Sequence, residues 1–162
     1  MRKIDLGQTI TILANIGVIA GIVFLALELR QNTVAVQGAT YQALSDGISS
    51  QYSGVAHDPV LGQALARVYR GDPNPEFSAG ENSQIIWYYN ALIQRLENSY
   101  FQWQTGLVDD RVLEGYGWND GVLTTRHFSN YWSFIGASRN TSPEFRRFFE
   151  AHVNLWKPDQ TE

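Results

Sequence analysis

The sequence predicts an all-α protein in which a single N-terminal transmembrane helix is followed by a small antiparallel helical bundle. Three observations point there. Residues 6–27 read LGQTITILANIGVIAGIVFLAL without one charge. Downstream, apolar residues recur every three or four positions and never in strict alternation. All five prolines, at 59, 73, 75, 143 and 158, fall where those apolar stripes break, as expected of a residue that helix interiors exclude. The boundaries that follow are 1–30 for the anchor, 31–57 for a connecting helix and 58–162 for an aromatic-rich helical domain.

At about 1.5 Å of rise per residue, residues 6–27 form a helix of roughly 33 Å, enough for a hydrocarbon core of about 30 Å. A cleaved secretory leader is the competing reading, with Met1-Arg2-Lys3 as its basic start and Val18-Ile19-Ala20 as a cleavage site. Length favours the anchor, because apolar residues continue through Ile22, Val23, Phe24, Leu25 and Leu27. Orientation follows the basic residues at the two ends. Arg2 and Lys3 precede the span and Arg30 follows it, with no further basic residue until Arg67. The count favours a cytoplasmic N-terminus and a periplasmic domain.

Within the span, Gly7, Thr11, Ala14, Gly17 and Gly21 recur at steps of 4, 3, 3 and 4 and so share one stripe of the helix. Gly17 and Gly21 form the G-x-x-x-G pattern, which lets two backbones approach closely where lipid removes the hydrophobic driving force. Asn15 lies beside the stripe near mid-membrane and favours a hydrogen bond across an interface over contact with acyl chains. The implied partners are the bilayer and a transmembrane helix, either this chain's own in a second copy or that of another membrane protein.

Leu44, Ile48, Tyr52 and Val55 extend the helical pattern to about residue 56, and Asp58-Pro59 opens the next helix. Leu61, Leu65, Val68 and Tyr69 share its face, and Gly71 closes it before the turn-rich run 72–75. Ser78 and Glu81 fit a capping box. Beyond them, Ile85, Tyr89, Leu92, Leu96, Tyr100 and Trp103 mark the longest apolar stripe, about seven turns ending near Gly106. Asp109 caps a short helix through Glu114, and the glycine-rich run 115–121 is not helical. Phe128, Tyr131, Trp132 and Ile135 predict another helix. Ser142-Pro143-Glu144 starts the last one, on which Phe145, Phe148, Phe149, Val153 and Trp156 share a face.

The blocks Leu27-Glu28-Leu29-Arg30-Gln31-Asn32-Thr33, Ala39-Thr40-Tyr41-Gln42, Asp58-Pro59 with Tyr69-Arg70-Gly71, Arg95-Leu96-Glu97-Asn98, Tyr131-Trp132 and Ser142-Pro143-Glu144-Phe145-Arg146 span nearly the whole chain. In these blocks the chain resembles a widespread bacterial group of small proteins with one N-terminal transmembrane helix and a compact helical domain. The resemblance implies a single-pass protein of the bacterial inner membrane. The group carries no assigned activity, so architecture is all that it implies. Its members usually have several Arg after the Gln-Asn-Thr block, where this chain has Val34, Val36 and Gln37.

Candidate chemistry is sparse. The absence of cysteine removes thiolate nucleophiles and Cys-ligated metals. A net charge of −4, from 12 Lys and Arg against 16 Asp and Glu, argues against nucleic acid as a partner. His57, His127 and His152 have no second ligand at helical spacing apart from Asp58 next to His57, and no phosphate loop or nucleophile elbow is present. We therefore expect no metal, no cofactor and no catalytic residue. Arg95, Glu97 and Asn98 form the one polar group that stands out on the long helix, read as a packing network with Arg95 or an arginine of another helix as the partner of Glu97.

The 5 Trp, 8 Tyr and 8 Phe lie almost wholly after residue 30. Tyr88, Tyr89, Tyr100, Phe101 and Trp103 are expected to build core rather than a ligand pocket, and Trp87 and Phe101 to leave a surface for another subunit. These features predict a non-catalytic interaction or accessory subunit of a membrane assembly. The alternative is a membrane-tethered module that binds an apolar small molecule.

Overall fold

A computed structural model describes residues 6–71, 76–115, 118, 120–136 and 141–155. The described residues are helical with no strand among them, as the sequence pattern predicts. Arg2 and Lys3, the 72–75 run, residues 116, 117 and 119 of the glycine-rich run and Trp156 lie outside the described residues.

The first helix, α1 (Leu6–His57), is unbroken. By its contacts the chain divides into two units, residues 1–39 and 40–162. In the first unit every described side chain from Gly7 onward is exposed, including Ile10, Leu13, Ile16, Ile19, Val23 and Phe24. Apolar residues occupy all sides of this helix, so no single face offers itself to a water-soluble core. Among the described residues α1 alone is long and apolar enough to cross a membrane, and none of its apolar stretch is buried.

In the second unit, α1 contributes its last turns. Leu44 is buried with Val108, and Ile48 packs beside them, while Val55 packs on the main core. Tyr52, which the apolar spacing places on this stripe, is instead exposed. The inward positions are 44, 48, 51 and 55, with Gln51 half-buried where a period of 3.6 carries the stripe past Tyr52.

Asp58 caps α2 (Pro59–Tyr69), its Oδ1 accepting the Val60 and Leu61 amides at 3.0 and 3.1 Å. Its Oδ2 accepts the Gln84 side-chain amide at 2.8 Å, so the cap also ties α2 to α3 (Ala79–Gln104). Gly71 follows α2 with φ +71°, a conformation that favours glycine. The Ser78–Glu81 capping box forms in both directions, and the Glu81 carboxyl is held below its usual pKa chiefly by the Ser78 amide. Arg67 adds an ion pair to Glu81 and lies 4.6 Å over the Phe77 ring.

Helix α3 buries Ile85, Tyr88, Tyr89, Leu92, Ile93, Leu96, Ser99 and Tyr100, a wider face than the predicted stripe. Gly106, at φ +72°, ends it. Asp109 receives the Val112 amide at the start of α4 (Asp110–Gly115). A short 3-10 turn, Gly121–Thr124, follows under an Asp120 cap, and α5 (Arg126–Tyr131) starts from Thr125. The helix expected through residue 135 does not remain α-helical: it widens to a π turn over Trp132–Gly136. There Trp132 is buried against Phe149 and its indole N–H donates to Glu150 at 3.1 Å. Helix α6 (Pro143–His152) begins at Ser142, whose hydroxyl accepts the Phe145 amide.

The core of this unit is aromatic. Phe149, fully buried, has Trp132, Phe145, Trp118 and Phe128 around it at 4.5, 5.6, 5.9 and 6.3 Å between ring centroids. Tyr89 packs with Phe128 and Tyr131, both at 5.1 Å. These rings close the core with edge-on and tilted contacts of the kind that add stability beyond area burial.

Candidate functional site

The small-residue stripe lies on α1 with every member exposed. The Thr11 hydroxyl donates to the Gly7 carbonyl at 3.0 Å, so its polar atom is satisfied inside the helix. The Asn15 amide has no hydrogen-bond partner among the described residues, and each unmet polar group of this kind is costly in a water-free medium. A Cβ added at Gly17 or Gly21 meets nothing of this chain within 4 Å. The strip of surface they form is therefore open to another helix.

The three polar residues of α3 do not form one network. Arg95 and Asn98, three apart, share a side of the helix, while Glu97 lies on another. Glu97 Oε1 accepts the backbone N–H of Ser142 at 2.7 Å. This contact has a clear physical role. In a capping box the residue three places after the cap returns a carboxylate to the cap's own amide, but at that place α6 has Phe145, which is spent on the core. Glu97 supplies the missing carboxylate from α3, 45 residues away, and puts negative charge where the helix dipole favours it. Its partner is thus a helix terminus rather than an arginine.

Glu97→Ala leaves the Ser142 amide without its acceptor and should cost about 1–3 kcal/mol in a urea titration. Glu97→Gln keeps a carbonyl acceptor and should cost less. Equal losses for the two variants would show that the contact does not act as a cap.

Arg95 is half-buried on the other side of α3. Its Nε and Nη1 are buried without a hydrogen-bond partner, and burial lowers the pKa of the guanidinium while the Tyr52, Tyr88 and Asp120 oxygens partly offset that. Asp120 is already engaged: its Oδ1 accepts the Tyr69 hydroxyl at 2.7 Å and the Val122 amide at 3.0 Å. Desolvation, first of all, pushes Tyr69 well above the usual phenol range and Tyr88 up to about 12. Tyr69 and Tyr88 therefore keep their protons near neutral pH, which suits a scaffold better than proton transfer.

Asn98 Oδ1 accepts the Gln102 side chain at 3.4 Å and borders, with Arg95, a groove of about 420 Å³ between α1 and α3. Two more grooves, of about 580 and 370 Å³, lie at Tyr41–Val112 and at Trp118–His152. Gln51, with its own unpartnered buried Nε2, is a site residue that apolar spacing misses, since a half-buried glutamine leaves no mark in a hydrophobic stripe.

The histidines sit in packing roles. His127 Nδ1 is 3.1 Å from the buried Tyr89 hydroxyl, with Phe77 edge-on at 5.3 Å, and burial lowers its pKa. His152 stacks on Phe148 at 3.9 Å and donates Nδ1–H to the Phe148 carbonyl. His57 donates in the same way to Ser53. Among the described residues no three His, Cys, Asp or Glu side chains converge as metal ligands would. Tyr88, Tyr89 and Tyr100 are buried, Trp103 is half-buried with its indole N–H on Asp110 at 2.7 Å, and Trp87 and Phe101 are exposed, Trp87 to 71%.

Compared with protein-family models, curated proteins and solved structures, the chain finds no match, and so no relative's activity or site is carried onto these residues.

Proposed function

We propose that this protein is a membrane-anchored, non-catalytic accessory or interaction subunit of a larger membrane assembly. Residues 6–27 cross the bilayer once, and the second unit, read as a small antiparallel bundle, stands on the periplasmic side of a bacterial inner membrane. The observation that carries the reading is the exposure of every described apolar side chain in residues 7–27, on all faces of the helix. Leaving so many apolar side chains in water has no compensation within the chain, whereas acyl chains accept them on every side. The bilayer covers most of this surface and a second transmembrane helix covers the stripe of Gly7, Thr11, Ala14, Gly17 and Gly21, where Asn15 gains its hydrogen bond. Trp87, Phe101 and Phe134, the last 85% exposed, offer aromatic surface of the type that protein interfaces use.

Paired substitution tests this docking. Because side chains at positions 17 and 21 meet nothing within the chain, Gly17→Ile with Gly21→Ile should leave insertion and the second unit's melting temperature unchanged. Companions recovered with the wild-type chain after extraction in mild detergent, or its self-association, should fall by about tenfold or more. Undiminished association of the double variant removes the stripe as the docking surface.

A further inference from the structure

We propose that the groove between α1 and α3 binds a small molecule bearing a carboxylate or phosphate, with Arg95 as its charged anchor and Gln51 as a second donor. This inference is independent of the membrane reading, since every residue it uses lies in the second unit.

The groove, about 420 Å³, falls in the size range of small-molecule sites. Its lining includes Leu44, Gly47, Gln51, Ala91, Arg95 and Asn98, and among the described residues Arg95 is its only charged member and no carboxylate lines it, in a chain whose net charge is −4. Arg95 makes no ion pair among the described residues, and two of its nitrogens are buried without an acceptor, as is Gln51 Nε2. Buried polar groups are as a rule satisfied, and a half-buried guanidinium with two nitrogens left unpartnered carries a desolvation cost. The longer-range field of Asp120 offsets that cost only partly, and Asp120 Oδ1 is already taken by Tyr69 and Val122.

An oxyanion supplies what is missing. Guanidinium and amide N–H groups recognise carboxylate and phosphate oxygens through charge-assisted hydrogen bonds. The walls beside them, Leu44, Gly47 and Ala91, accept a short hydrocarbon portion. The ligand class is therefore an amphiphilic anion, whether a free organic acid or the phosphate of an anionic lipid.

The test titrates hexanoate, hexanol and hexylamine into the full-length chain in a non-ionic detergent, followed by calorimetry. Saturable binding is expected for hexanoate and not for the other two. Arg95→Gln should weaken it by about tenfold or more, as loss of a charged hydrogen-bond partner does, and Gln51→Ala by a smaller factor. Ala91→Trp, at an exposed position that lines the groove, fills it while the Arg95 residue is retained. It should abolish binding with the melting temperature kept, and it decides the matter if Arg95→Gln fails to fold.

The source of the anion is separated by nanodiscs of phosphatidylcholine with and without phosphatidic acid. A melting shift that needs phosphatidic acid and vanishes in Arg95→Gln or Ala91→Trp assigns the groove to a lipid phosphate. Hexanoate binding without that shift assigns it to a free acid. Neither effect, equal binding of hexanol, or full binding in the folded variants overturns the proposal.

Discussion

Replacing Phe149 by alanine is expected to unfold most of the second unit at temperatures where the wild type is intact. The ring is fully buried and packs with Trp132, Phe145, Trp118 and Phe128, rings supplied by the continuous 126–136 stretch, by the turn at Trp118 and by its own helix α6. Removing it forfeits the transfer free energy of a phenyl group and leaves a cavity that rigid aromatic neighbours fill poorly, a loss of about 3–5 kcal/mol. Against a total stability of about 5–15 kcal/mol for an ordinary domain, that is a large fraction. Thermal melting followed by near-ultraviolet circular dichroism should show a fall of more than about 10 °C. Phe134→Ala, at an exposed ring, should stay within about 0.5 kcal/mol of wild type. Similar losses for the two variants would contradict this picture of the core.

The second large effect concerns the span. Ile16→Asp together with Ile19→Asp places two carboxylates near the centre of residues 6–27. On insertion scales each exchange costs about 3 kcal/mol, so the pair should abolish stable insertion. Both isoleucines are exposed and make no core contact, being 56% and 61% accessible. The second unit should therefore keep its melting temperature while the chain leaves the membrane fraction. A lowered melting temperature would mean that these side chains pack against the protein itself.

The helix boundaries were legible because their signals are local. Asp58-Pro59, Ser78 with Glu81, and Ser142-Pro143 each place a cap acceptor two or three residues from the amide it receives, and each forms as its spacing predicts. The buried face of α3 follows in the same way from steps of three and four. What the sequence concealed depends on partners far along the chain. Glu97 meets Ser142 across 45 residues, Tyr69 meets Asp120 across 51, and Tyr131 donates to Asn90 across 41. No spacing rule reaches that far. Polar residues at inward positions were equally hidden: a hydrophobic stripe ending at Val55 selects Tyr52, and only the packed helix shows Gln51 facing inward instead. The π turn at Trp132–Gly136 was masked by apolar residues whose spacing suits an α-helix as well.

The division of labour between the two units follows from these contrasts. Many polar side chains of the second unit, such as Asp120, Tyr131 and Glu97 but not Arg95 or Gln51, are tied to named partners, and its rings close a core of their own. The first unit has no such interior, and its surface over residues 10–27 is an apolar cylinder interrupted by Thr11, small residues and Asn15. Such a helix is long and apolar enough to cross a membrane.

The most direct test uses the absence of cysteine in this chain, which allows single nitroxide labels without background. Cysteine is introduced in turn at positions from 7 to 27, and collisions of the label with oxygen and with a water-soluble nickel complex are measured in lipid vesicles. The account predicts high oxygen and low nickel accessibility throughout the middle of the span, with nickel access rising only toward its two ends. High nickel accessibility along the whole stretch, or exclusion of both reagents from every face, would contradict it.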